Sequence, residues 1–381
     1  MLKNLSSSLL FFFVLLCSSV VSSGDNLREI KSTVDENGVF NLPASALAMS
    51  GYLNKESKEA YLKSKQMMEN LKAMWLTCGP DLRSASAEEA PLIRECQAKK
   101  FSSTSFYREL MAKYDVDMKP MTIGGVYSEV FTPAAGISPE NKNRVLINIH
   151  GSGQIYAARQ ASHLESVPIA EIARIKVVAP DYSMWPEHVN PAGVKDTLAV
   201  YRTLLKDYRP ENIGIYGCSA GGQQAAQLMP WLQKEGLPMP GAIGIFGGAA
   251  GWKSGDTWAL TGSFTARPYN RTSSDEWLKN PYRNGYFRGA DFRDPLVDAT
   301  ASNEMLKKFP PSLLITSTRD WNLSQVVYTH TQLVKQDVEA DLHIWEGFEH
   351  CFFVSPIIPE SVEVHNVVAK FFDKHLGKSR R

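Results

Sequence analysis

The stretch Ile213-Gly214-Ile215-Tyr216-Gly217-Cys218-Ser219-Ala220-Gly221-Gly222 decides how the chain is read. An apolar, β-branched run leads into G-x-S-x-G, the pattern of a strand that turns sharply into a helix and leaves a serine hydroxyl at the corner. Positions two before and two after the serine are crowded there, and Gly217 and Gly221 meet that demand. A helix beginning at the corner directs free N–H groups and the positive end of its dipole toward the site, which favours developing negative charge. Serine is a weak nucleophile until a base takes its proton, so a histidine is required downstream.

That base is read as His350, in Trp345-Glu346-Gly347-Phe348-Glu349-His350-Cys351-Phe352, directly after the last strand candidate. The other histidines, apart from His150, lie in helical, strand or polar contexts and read as structural or solvated. The acid that orients the imidazole is Asp320, just past the apolar run Leu313-Leu314-Ile315-Thr316. Asp337 and Asp341 are nearer in sequence but fall at the start of a strand, the wrong end of the sheet. The order Ser219, Asp320, His350 is that of the α/β-hydrolase fold and of neither common protease class. A tetrahedral intermediate also needs oxyanion donors. Leu146-Ile147-Asn148-Ile149 leads into His150-Gly151-Ser152-Gly153, so the N–H groups of Ser152, Gly153 and Ala220 are the candidates, with His150 buttressing the loop.

Around this centre, apolar runs at Val126–Phe131, Arg144–Ile149, Lys176–Ala179, Asn212–Tyr216, Ala242–Phe246, Ser312–Thr316 and Asp341–Trp345 alternate with amphipathic helices. That alternation predicts an α/β domain with a mostly parallel sheet over residues 116–381. Residues 24–115 read as a separate helical region, and 252–291 as an insertion over the sheet's edge. Lys3, the apolar run Leu9–Leu16 and the small residues Val21-Ser22-Ser23-Gly24 predict a cleaved signal peptide over residues 1–23, and hence a secreted or periplasmic protein without a stable membrane anchor. At a net charge of +1 with 21% charged residues, the chain has no field suited to nucleic acid. The sequence shows no metal-ligand spacing and no nucleotide-binding loop, so no cofactor is expected.

Cleavage removes Cys17 and leaves Cys78, Cys96, Cys218 and Cys351, an even set suited to an oxidising compartment. Three pairings are possible. Cys78 and Cys96 bracket a polar loop and favour each other; Cys218 and Cys351 then either bridge, clipping Ser219 to His350, or remain buried thiols. Asn270-Arg271-Thr272 and Asn322-Leu323-Ser324 are glycosylation acceptors in a eukaryotic host. Trp185, Trp252, Trp321 and Phe352 adjoin the motif loops and are candidates for an apolar pocket.

From about Val126 onward the chain resembles the hormone-sensitive-lipase-like branch of the α/β-hydrolases. His150-Gly151-Ser152-Gly153 is similar to that family's His-Gly-Gly-Gly loop, and Gly217-Cys218-Ser219-Ala220-Gly221-Gly222 to its Gly-Asp-Ser-Ala-Gly-Gly elbow. Asp291–Val297 and Asp181-Tyr182 with Pro186-Glu187-His188 resemble two further family stretches. The resemblance implies a helical N-terminal cap and serine carboxylesterase activity on short-to-medium acyl esters. Three departures stand out: Ser152 for Gly, Cys218 for Asp, and Cys351 for Gly. The last two resemble the Cys-Ser…Asp…His-Cys arrangement of tannases and fungal feruloyl esterases, which implies the Cys218–Cys351 disulfide and points to aromatic-acid esters. An amide or lactone hydrolase with the same triad is the nearest alternative, and a non-catalytic small-ligand-binding protein on the same fold is another.

Overall fold

The computed structural model describes residues 48–252, 255–261 and 285–377, together with a short strand pair, β1 (Thr33–Val34) and β2 (Phe40–Asn41). The signal segment, the Asn270 acceptor and most of the 252–291 stretch therefore lie outside the described residues. The chain divides into two compact units, Met1–Ala48 and Met49–Arg381. The first contains β1 and β2, paired antiparallel with Thr33 opposite Asn41.

The second unit opens with three helices, α1 (Lys55–Trp75), α2 (Glu89–Ser102) and α3 (Ser105–Lys113). Asn54 caps α1 by accepting the Ser57 N–H, and Thr104 caps α3 by accepting the Tyr107 N–H. Then come β3 (Val116–Ile123), β4 (Val126–Pro133), β5 (Val145–Asn148), α4 (Gln160–Ala173), β6 (Lys176–Pro180), α5 (Ala192–Leu204) and β7 (Ile213–Cys218). The chain continues through α6 (Ala220–Lys234), β8 (Ala242–Phe246), α7 (Asp256–Thr261), α8 (Asn303–Leu306), β9 (Ser312–Ser317), α9 (Leu323–Val334), β10 (Ala340–Trp345) and α10 (Pro359–His375).

Strands β3 to β10 form one sheet in the order β10-β9-β8-β7-β5-β6-β4-β3. All neighbours are parallel except β3–β4 and β4–β6. The expected mostly parallel sheet is present, with β3 as an edge strand that the hydrophobic pattern did not predict. Its Lys119-Pro120 pair lies where only one side carries a partner strand, a position proline tolerates.

Side chains alternate across the sheet. Val145 and Ile147 of β5 join a core with α5, α6 and α9, while Leu146 joins a second core with α4 and α10. The stripe Val194, Leu198, Tyr201, Leu204 on α5 faces the first core; Val364, Val368, Phe371 and Phe372 on α10 face the second. Covering both faces makes central strands such as β5, β7 and β9 buried throughout. The parallel strands deliver their following loops to one edge, where a site belongs in such a sheet.

Candidate active site

β7 ends at Cys218, and Ser219 follows at φ 57°, ψ −120°, a backbone conformation that a non-glycine residue adopts only under local restraint. The restraint is visible. A Cβ on Gly217 would meet the Ile149 carbonyl oxygen at 2.1 Å, and one on Gly221 would meet it at 1.7 Å. Ile149, the residue after β5, thus passes so close to the elbow that only glycine fits at both positions. The Ser219 N–H donates to the Phe246 carbonyl at 2.7 Å. Ala220 is the first residue of α6, so its N–H has no intrahelical acceptor.

Three loops converge at the Ser219 hydroxyl. His350 Nε2 lies 2.8 Å from Ser219 Oγ, and His350 Nδ1 lies 2.7 Å from Asp320 Oδ1. A carboxylate only accepts, so Nδ1 carries the proton and Nε2 is free to accept the serine hydrogen. Asp320 is fully buried and held on both oxygens. Oδ1 also accepts the Asn322 N–H at 2.8 Å, and Oδ2 accepts the Thr316 hydroxyl at 2.9 Å. Asp341, by contrast, pairs with Leu313 near the start of β9, whereas Trp345 pairs with Ser317 at its end.

The structure joins Cys218 to Cys351 and Cys78 to Cys96 by disulfides, with Cα separations of 6.5 and 5.7 Å. Gly247 leaves room for the first of these, since a Cβ there would lie 3.1 Å from both Cys351 Sγ and His350 Cε1. Asn322 does not present an accessible glycosylation acceptor. It is 6% exposed and its Nδ2 donates to the Gly247 carbonyl at 2.6 Å, so that reading is corrected.

The loop after β5 abuts the elbow. A Cβ on Gly151 would fall 2.8 Å from the Cys218 carbonyl oxygen, and Gln154 Nε2 donates to the Ala220 carbonyl at 3.3 Å. Ser152 and Gly153, at φ 77° and 70°, turn the chain in the left-handed region between these contacts. His150 is fully buried, stacked on Tyr182 at 4.4 Å, and its Nδ1–H donates to the Gly151 carbonyl at 2.9 Å. Burial lowers its pKa, and the ring acts here as a wedge under the loop.

The N-terminal helices grip both loops. On α1, Tyr61 donates to Glu349, the residue before His350, and Lys65 pairs with the same carboxylate at 2.8 Å. On α2, buried Arg94 donates to the Ile155 carbonyl at 2.9 Å and also to Glu187 and the Trp185 carbonyl. Neither Tyr61 nor Arg94 carries a sequence motif; both were found only from the packing.

The aromatic candidates separate. The Trp321 ring lies 4.5 Å from the His350 ring and is backed by Trp258 at 4.5 Å. The Trp185 N–H donates to the Gln154 carbonyl at 2.9 Å, and Trp185 packs on a cluster with Trp252, Tyr286 and Phe287. Phe352 departs from its expected place in a pocket wall. It is buried in the second core, stacked on Phe348 at 4.3 Å, because Cys351 at φ 51° reverses the chain between His350 and Phe352.

Comparison with known proteins bears on the same residues. A family model described as alpha/beta hydrolase fold matches residues 146–354. An acetyl-hydrolase of Streptomyces hygroscopicus is 24% identical over 260 residues, 68% of this chain and 83% of that protein. The carboxylesterase/phospholipase LipF of Mycobacterium tuberculosis is 26% identical over 242 residues, 61% of this chain and 62% of its own length. The crystal structure of esterase E25 superimposes with a TM-score of 0.73 at 26% identity, covering 90% of this chain and all of that one.

Proposed function

The chain belongs to the α/β-hydrolase fold family, and from that premise we propose that it is a carboxylic ester hydrolase with Ser219, His350 and Asp320 as its catalytic triad. The observation that carries the reading is the hydrogen-bond chain from Ser219 Oγ through His350 to Asp320, at 2.8 and 2.7 Å. Ser219 Oγ attacks the ester carbonyl carbon as His350 Nε2 takes its proton, and Asp320 steadies the resulting imidazolium. The N–H groups of Ser152, Gly153 and Ala220 hold the oxyanion. Collapse breaks the bond to the alcohol oxygen, which leaves with the proton from His350. A water activated by the same histidine then releases the acid.

Short-to-medium acyl chains or small aromatic acids are the substrates that this site favours. Support comes from the aromatic surface of Trp321 and Trp258 beside His350, and from Trp185 with Trp252 near the oxyanion loop. The acetyl-hydrolase and esterase relatives point the same way. We assign the protein to a secreted or periplasmic location on the leader pattern of residues 1–23 and on its two disulfides.

The test is hydrolysis of p-nitrophenyl acetate, butyrate and octanoate by the wild type beside Ser219→Ala. Turnover that falls to background in the variant is expected, with acetate or butyrate preferred. Equal rates for wild type and variant contradict the reading.

A further inference from the structure

Glu165 lies in the apolar stretch Leu164-Glu165-Ser166-Val167-Pro168-Ile169 of α4, and nothing in the reaction described above uses it. Its carboxylate is nevertheless buried at the centre of the site's framework. Oε1 accepts the Gly151 N–H at 2.8 Å, while Oε2 accepts the Cys218 N–H at 3.1 Å and Asn148 Nδ2 at 2.9 Å. One side chain therefore ties together the last residue of β5, the first turn of the oxyanion loop and the residue before Ser219.

We propose that Glu165 is a positioning residue of this hydrolase, whose carboxylate sets the spacing between the oxyanion loop and the nucleophile elbow. The inference rests on the assignment of Ser219 and of the Ser152, Gly153 and Ala220 donors made above. Such donors work only when held about 2.7–3.1 Å from the place the oxyanion will occupy. The segment that carries two of them needs holding, because Ser152, Gly153, Gln154 and Ala157 all have φ between 50° and 77°. Gly151 is the fixed point from which that segment departs, and its N–H is held by Glu165.

The ionisation of Glu165 gives the arrangement a pH signature. Burial pushes the carboxyl up to about 7, against the pull of its three N–H donors. The groups around it are Tyr216 on β7, Tyr182 after β6, His150 in the attached loop and His365 on α10. Burial raises both tyrosines and lowers both histidines, His365 to about 3, so these four stay neutral at neutral pH. Above about 7 the carboxylate accepts all three N–H bonds; below it, a proton on one oxygen faces one of those donors and loosens the tie.

The experiment compares kcat and KM for p-nitrophenyl acetate across pH 5–9 in the wild type, Glu165→Gln and Asn148→Ala, with Ser219→Ala as the blank. For Glu165→Gln the expected result at pH 8 is a kcat loss of about 10- to 100-fold, smaller than removal of an oxyanion donor, with KM changed much less. The acid limb of log kcat should be steeper than one proton in the wild type and reduce to one in Glu165→Gln. Asn148→Ala keeps the carboxylate but removes a donor that favours its charged form, so its acid limb should move to higher pH; this variant decides if Glu165→Gln does not fold. A Glu165→Gln enzyme with wild-type kcat and an unchanged acid limb overturns the proposal, as does an unmoved limb in Asn148→Ala. Turnover that Ser219→Ala leaves intact overturns the active-site assignment itself, a separate failure.

Discussion

Cys218 and Cys351 are joined by a disulfide, and each is the chain neighbour of a residue in the proposed triad, Ser219 and His350. The bridge spans 133 residues of sequence and fastens the turn that carries Ser219 to the loop that carries His350. Removing it therefore acts on geometry at the site as well as on stability. The Cys218→Ser/Cys351→Ser enzyme is expected to lose about 2–4 kcal/mol of stability in denaturant melts and to turn over more slowly while keeping its circular dichroism spectrum. Full activity in the bridge-free enzyme contradicts this.

Asp320 is buried, and its two oxygens accept hydrogen bonds from His350, Asn322 and Thr316. Asp320→Asn removes the charge that stabilises the imidazolium, while an amide oxygen in the place of Oδ1 still accepts from His350 and the Asn322 N–H. Turnover should fall by about 10⁴-fold with little change in melting temperature. Near-normal rates in a folded variant mean that another carboxylate is the acid.

Gly221 has no room for a methyl group, because its Cβ would sit 1.7 Å from the Ile149 carbonyl oxygen. Backbone meets backbone there, so no side-chain rotation relieves the clash. Gly221→Ala is expected to cost more than about 3 kcal/mol or to leave no soluble enzyme. Gly236→Ala, with no neighbouring atom near its Cβ but φ 64°, should cost about 1 kcal/mol from backbone strain alone. Comparable melting temperatures for the two variants contradict the steric argument.

His365 is fully buried, and its pKa is pushed down to about 3, first by burial and then by Lys113. A folded-state pKa below the unfolded value of about 6.5 means that the unfolded chain binds the extra proton. The resulting stability is present above pH 6.5 and is lost as pH falls toward 3. Glu165 acts in the opposite sense: its raised pKa contributes stability below its ordinary carboxyl value of about 4.5, lost as pH rises toward 7. The melting temperature of His365→Asn minus that of the wild type should therefore rise as pH is lowered from 7 to 4. A difference independent of pH contradicts it.

Much of this was legible in the chain because strand-plus-loop patterns are local. β7 with its elbow, β9 with Asp320 and β10 with His350 are each an apolar run followed by a polar turn, and the parallel sheet places all three turns at one edge. The parts that were not legible depend on packing. β3 is exposed along most of its length and contains Pro120, so it has no alternating pattern to reveal it. Glu165 binds N–H groups 14 and 53 residues away, and its one sequence signal is a charged residue inside an apolar helix. Adjacency misled at Phe352, where the left-handed turn at Cys351 sends the ring into the core. The Asn322 acceptor motif fails on packing too, since its side-chain amide donates to the Gly247 carbonyl.

The central claim is that Ser219 is the nucleophile activated by His350. The most direct measurement is mass spectrometry of the protein after treatment with diisopropyl fluorophosphate. The account predicts a single phosphoryl adduct on the peptide that contains Ser219, absent in Ser219→Ala and strongly slowed in His350→Ala. Esterase activity that persists with Ser219 unlabelled, or an adduct on a different serine that abolishes activity, would contradict it.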